Sequence, residues 1–197
     1  KSLFIKGNII KLFPYLVKNT CRMVKNKRFL PEKIMWRVLA DGAEVFDNTY
    51  DLAVAYIEGG AAYYVAKHVK AKRKIAFLHI DFNLAGYSRM LDEDCYLQFD
   101  KVYAISQEVR DTFENVYPEC KSKTELFNNI INREEIIKLA KQGEGFKDNY
   151  SGVRILTLGR LTSQKNFAVS IEAMKLLKNK GIEARWYILG EGKERKQ

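Results

Sequence analysis

With 3 prolines and 3 cysteines in 197 residues, the chain has few helix breakers and few thiols to spend on cross-links. Cys21, Cys95 and Cys120 stand far apart with no C-x-x-C spacing, and an odd number cannot pair completely within one chain. They read as the reduced thiols of a cytosolic protein. No run of about 18 apolar residues occurs, so no bilayer-spanning helix is expected. No signal peptide is visible in these residues, and low-complexity tracts and fixed-period repeats do not occur in them, which sets aside a disordered chain and a solenoid. What remains is a globular composition: 47% of the residues are hydrophobic, enough for a sizeable core. The sequence opens on Lys1 and stops in Lys193-Glu194-Arg195-Lys196-Gln197, and both ends read as cut.

Acidic residues are scarce at one end only. Residues 1–40 hold ten Lys and Arg against Glu32 alone, so nine of the ten net positive charges lie there. In the same segment Ile5, Ile9, Leu12 and Leu16 recur at helical spacing, while Lys11, Lys18 and Lys25 fall on another face. Two short amphipathic helices are expected, the second starting near Tyr15 after Pro14 and ending by Lys25-Asn26-Lys27-Arg28.

From Tyr50 onward, strand-like apolar runs alternate with helical patterns. Strands are expected over Asp51–Ile57, Lys74–His79, Asp100–Ile105, Lys123–Phe127, Val153–Leu158 and Ala184–Leu189. Helices are expected over Gly60–Val69, Gln107–Tyr117, Arg133–Lys141 and Asn166–Asn179, the last terminated by Gly181. This alternation predicts an α/β fold with a parallel sheet, and runs such as IAFLHI predict strands covered on both faces. The stretch Gln142–Gly152, rich in Gly, Asp, Asn and Ser, is the expected linker between a domain over residues 1–150 and a second one beginning at 151.

The stretch Gly159-Arg160-Leu161-Thr162-Ser163-Gln164-Lys165-Asn166 joins a strand expected to be buried to a helix. Ligands of open α/β sheets bind at the carboxyl ends of strands. Here the loop combines a glycine, two cations and the free N–H groups at a helix start, a set suited to a diphosphate. Arg160 can grip phosphate oxygens bidentately, and Lys165 is a mobile point charge. The plainer account is a polar βα loop with two solvated cations.

The run ILTLGRLTSQKNFAVSIEAMKLL followed by WYILGEGKER resembles the donor-domain opening of the family-four glycosyltransferases. Those enzymes have the GT-B fold of two facing Rossmann-like domains. The family's G-R-[LM]-x-x-x-K-[NG] motif is matched by Gly159, Arg160, Lys165 and Asn166. Its G-x-G-P-x-[KR] motif is matched by Gly190, Glu191, Gly192 and Arg195, with Lys193 where proline is usual. FDKVYAISQEVRDTF resembles the family's strand and helix that place a serine, here Ser106, at the strand end. ELFNNIINREEI resembles the turn that leads out of the first domain, with Asn129 at the asparagine position and Ile130 where glycine is usual. The likeness runs from about Asp51 to Arg195.

The resemblance implies a retaining transferase that moves a sugar from a nucleotide diphosphate sugar to a hydroxyl, with Arg160 and Lys165 on the donor diphosphate. It implies donor contacts at Gly159, Asn166, Gly190, Glu191 and Gly192, although an exposed loop carboxylate is the plainer account of Glu191. No metal or other cofactor is implied, since the two cations and the helix dipole can neutralise the leaving group. On the acceptor side, His79 ends a strand where similar enzymes carry a histidine, and Asp81 could accept a hydrogen bond from it. Glu58, Gly59, Gly60 and Ser106 hold the matching positions after neighbouring strands, with a helix-capping turn as the alternative for Glu58-Gly59-Gly60.

A basic amphipathic start suits an acceptor anchored in an anionic membrane, which points to a lipid-linked glycan in surface polysaccharide synthesis. The expected location is cytoplasmic, peripheral to the inner face of the membrane. The 197 residues are expected to be silent by themselves. Open apolar strand faces are expected near Trp186, Ile188 and Leu189. The rival class is a basic, non-enzymatic nucleic-acid-binding domain, but its strands lack the aromatic–basic interleaving of single-strand binders. A different phosphate-binding Rossmann enzyme would need G-x-G-x-x-G after the first strand, and none is present.

Overall fold

A computed structural model of the chain describes residues 31–196 together with Val17, Thr20, Cys21 and Val24. Apart from those four residues, which are helical, the amphipathic helices expected within residues 1–30 lie outside the described residues. The chain divides into two compact units between Ile131 and Asn132. The stretch read as a linker, 142–152, is thereby grouped with the second unit.

The first unit runs α1 (Pro31–Gly42), β1 (Thr49–Ala55), α2 (Gly60–His68), β2 (Lys70–Leu78), α3 (Arg89–Asp92), β3 (Lys101–Ala104), α4 (Gln107–Val116) and β4 (Thr124–Leu126). Short 3-10 turns cover Cys95–Gln98 and Pro118–Lys123. The four strands pair in parallel in chain order, β1-β2-β3-β4. This is the expected parallel α/β arrangement, consistent with a Rossmann-like fold. The strand β2 starts four residues earlier than the sequence pattern suggests. Its lysines at 70 and 72 are solvated and pair with Asp47 and Asp51 while the backbone pairs with β1. Parallel pairing to a neighbour overrides the local charge.

One face of this sheet carries small inward residues, Ala53, Ala55, Ala76, Leu78, Val102 and Ala104, all buried. Their size lets α2 lay Ala62, Tyr63 and Ala66, and α4 lay Val109 and Phe113, directly on the strands. Beyond them Phe82 and Tyr96 meet Phe113 and Tyr117 edge to face, with centroid separations of 5.1 Å for Phe82–Phe113 and 5.4 Å for Tyr96–Tyr117, while Phe113 and Tyr117 stack on each other. Such pairs each add about 0.5–1.5 kcal/mol beyond the area they bury. The wholly buried Asp92 accepts a 2.6 Å bond from the Tyr63 hydroxyl.

The expectation that IAFLHI is covered on both faces is corrected. Ile75, Phe77 and His79 alternate onto the opposite face and are only half-buried, beside the exposed Leu52, Val54, Tyr56 and Phe127. Sequential strand order explains the difference, because successive right-handed crossovers return their helices to the same side of the sheet.

The second unit runs α5 (Arg133–Gln142), β5 (Val153–Leu158), α6 (Phe167–Asn179) and β6 (Ala184–Leu189), with 3-10 turns over Ser163–Lys165 and Lys193–Lys196. The two strands are parallel and in full register from Val153↔Ala184 to Leu158↔Leu189. None of its described residues is buried. As expected, Ile188 and Leu189 are exposed, whereas Trp186 is half-buried, stacked on Phe167 and donating Nε1–H to Thr157 Oγ1 at 2.9 Å. No helix among the described residues is long and apolar enough to cross a membrane.

Candidate functional site

The parallel strands of the first unit end on one edge, so the segments following β1, β2 and β3 bring Glu58, His79 and Ser106 to that edge. Glu58 is the most buried of these. Its side chain is buried, and Oε1 accepts hydrogen bonds from the backbone N–H groups of His79 and of Ile80, the latter at 3.0 Å. Gly59 follows at φ +76°, and a Cβ there would lie 2.5 Å from Cε3 of Trp36 on α1. A Cβ on Gly60 would lie 3.4 Å from the Trp36 carbonyl oxygen. Gly59 therefore admits the α1 indole, a partner the sequence reading did not foresee.

The His79 ring lies against Tyr56 and Phe77, with centroids 5.3 and 6.4 Å away. Its Nδ1 is buried and has no hydrogen-bond partner among the described residues. Asp81 does not supply one: its Oδ1 accepts from Leu84 N–H at 2.7 Å and closes the turn that follows. Ser106 is the N-cap of α4, with Oγ accepting from Val109 N–H at 3.3 Å. The structure thus joins Glu58 to the His79 backbone, while Asp81 and Ser106 serve their own local turns.

In the second unit the ladder of β5 and β6 continues past both strands. Gly159 N–H donates to Leu189 O at 3.0 Å, Leu161 N–H to Glu191 O at 2.9 Å, and Glu194 N–H to Leu161 O at 3.2 Å. This closeness is possible only with glycine. A Cβ on Gly190 would lie 1.8 Å from Gly159 O, and one on Gly192 would lie 2.0 Å from Leu161 O. The two motifs recognised in the sequence are therefore pressed into one edge.

Arg160 and Lys165 stand exposed on that edge, and neither takes part in an ion pair among the described residues. The Lys165 stem passes Gly159, with Cε 3.9 Å from where a Cβ would be. Asn166, at φ +50°, occupies the N-cap of α6 without a side-chain cap bond, so the first N–H groups of a 13-residue helix carry no side-chain cap. Glu191 is ion-paired with Arg195, which offsets its negative charge. Chemically the edge offers two free cations, a helix start and a backbone pared to glycine, a combination that attracts an anion.

One cluster escaped the sequence reading. Asp148 Oδ1 accepts from Arg154 Nη2 at 2.6 Å and from Tyr150 N–H at 3.2 Å, and Oδ2 accepts from Arg185 at 2.9 Å and from the Tyr187 hydroxyl. The bond from Arg154, then those from Tyr187 and Arg185, hold this carboxyl well below the usual aspartate range. Arg154 and Arg185 are both second in their strands and stand opposite each other in the register, so like charges meet there. An intervening carboxylate is what such a pairing needs, and that is the signal the sequence contains.

Among the described residues no group of three or more His, Cys, Asp or Glu is placed to hold a metal ion. Compared with known proteins, the chain matches no family model and no curated sequence.

Proposed function

We propose that the chain is part of a retaining, nucleotide-sugar-dependent glycosyltransferase of the GT-B type, with the loop after β5 as the grip on the donor diphosphate. The observation that supports this most is the packing of Gly190 and Gly192 onto the carbonyls of Gly159 and Leu161. It places the two resembling motifs side by side, with the unpaired Arg160 and Lys165 beside the start of α6. As the bond between sugar and diphosphate breaks, negative charge grows on the diphosphate. Arg160, Lys165 and the helix N-terminus are preorganised to meet it, which calls for no metal. On the acceptor side His79 would position the hydroxyl that forms the new bond, the acceptor being a glycan or glycolipid.

In the full-length enzyme, Arg160→Ala and Lys165→Ala should each lower kcat by about 10²-fold, the scale of losing one preorganised charge contact. Arg160→Lys should recover only part of the loss, since a point charge cannot replace the bidentate fork. Steady-state transfer kinetics at saturating donor read this out, and wild-type rates in both alanine variants would remove the assignment. Steeply salt-dependent binding of nucleic acid by the wild-type chain, with no transfer activity, would favour the rival basic binding domain instead.

A further inference from the structure

We infer that Glu58 is a positioning residue for His79, and not a ligand for the acceptor. Pairing of β1 with β2 ends at Ala55↔Ala76, and pairing of β2 with β3 ends at Leu78↔Ala104. The N–H groups of His79 and Ile80 therefore project past the last ladder pairs at a strand end that is still partly buried. Both donate to a single oxygen, Glu58 Oε1. A carboxylate accepting two consecutive backbone N–H groups makes charge-assisted bonds, stronger than those between neutral groups. Because Glu58 is only 7% exposed and this oxygen is already engaged, little of the carboxylate is left to meet a substrate.

The other end of Glu58 is fixed too. Gly59 holds φ +76° under the Trp36 ring, so the peptide following Glu58 cannot slide along the edge without moving α1. Tyr56, two residues earlier in the chain, forms one wall of the His79 ring site, and Phe77 of β2 forms another. A chain of contacts thus runs from α1 through Gly59 and Glu58 to the backbone of His79, while the same β1 segment packs on its imidazole. The side chain of Glu58 sets where the His79 ring begins, and Tyr56 and Phe77 set where it points.

The geometric half of this inference stands alone, and its functional half rests on the acceptor-side role proposed for His79. The chain has 2 histidines, and His68 is held by Asp41 at 2.9 Å, so His68 serves as an internal reference in imidazole spectra. Amide hydrogen exchange and ¹³C–¹H imidazole spectra of the 197-residue chain should be recorded for Glu58→Ala, Glu58→Asp and Glu58→Gln. The glutamine retains an acceptor oxygen at the same reach, so the His79 and Ile80 amides should stay protected and the His79 signals should stay in place. Alanine should speed exchange of both amides by about 10-fold or more, as expected when buried N–H groups lose their acceptor. It should also shift the His79 ring signals while His68 stays still.

If the alanine chain does not fold, aspartate decides, because it is one methylene too short to hold both amides. Unchanged exchange at His79 and Ile80 in a folded alanine or aspartate chain would overturn the inference. In the full-length enzyme, Glu58→Ala should lower kcat with KM little changed, Glu58→Gln should restore it, and Glu58→Ala should add nothing in a His79→Ala background. Loosened amides with unaltered transfer in both single alanine variants would overturn the acceptor-side role of His79, and with it the functional half.

Discussion

A methyl group on Gly190 would sit 1.8 Å from the carbonyl oxygen of Gly159, and one on Gly192 2.0 Å from that of Leu161. No rotamer relieves a clash between Cβ and backbone, so the loops must part. Gly190→Ala and Gly192→Ala should each destabilise the second unit by about 1–3 kcal/mol, the cost of comparable overpacking. They should also break the bonds from Gly159 N–H and Leu161 N–H. Faster amide exchange at Gly159 and Leu161 would show this, and wild-type protection at both would count against the packing. The G-x-G pair was legible in the sequence as a motif but not as a packing device, because the carbonyls it faces lie some 30 positions away in the chain. Glu58 shows the same limit: its place after a strand was readable, but its partners at His79 and Ile80 were not, since only strand pairing brings them together.

At the level of elements, the strands whose apolar runs have sharp borders were read correctly, as β5 and β6 show. Boundaries failed where tertiary pairing extends a strand into charged sequence, as at the start of β2. Short turns such as α3, whose N-cap is Ser88, left no periodic trace. Asp148 ties strands β5 and β6 together, and its effect should depend on pH. An unfolded aspartate titrates near 3.8, and the folded one lies lower. Its stabilisation is whole above the unfolded value, begins to fade as the pH drops below it, and is gone below the folded value. Asp148→Asn should therefore exchange the β5 and β6 amides faster than wild type at neutral pH. The ratio between the two proteins should shrink toward one in strong acid. A ratio that does not change with pH would show that the charge of Asp148 is irrelevant.

For the whole molecule, charge and apolar surface are both unevenly distributed. The described part of the basic segment includes α1, which turns Trp36 and Ala40 inward yet leaves Met35 60% and Leu39 55% exposed. An exposed apolar stripe within a cationic segment suits an anionic membrane surface. Co-sedimentation of the chain with vesicles should rise with the fraction of anionic lipid and fall as salt is added. Equal binding to neutral and anionic vesicles would rule out an electrostatic contribution. The sidedness of the four-stranded sheet was not readable from hydropathy, because an apolar run reports only that a residue avoids water, not which neighbour covers it.

The strand order of the first unit also bears on how the protein is made. Each strand of that sheet pairs with the one translated just before it, so no strand must wait for a distant segment to emerge from the ribosome. Closing each βαβ step costs only a short loop, and the sheet can grow in the direction of synthesis. At every stage β1 forms one edge of the sheet and the newest strand forms the other, so the edge open to the next pairing is always the strand made last.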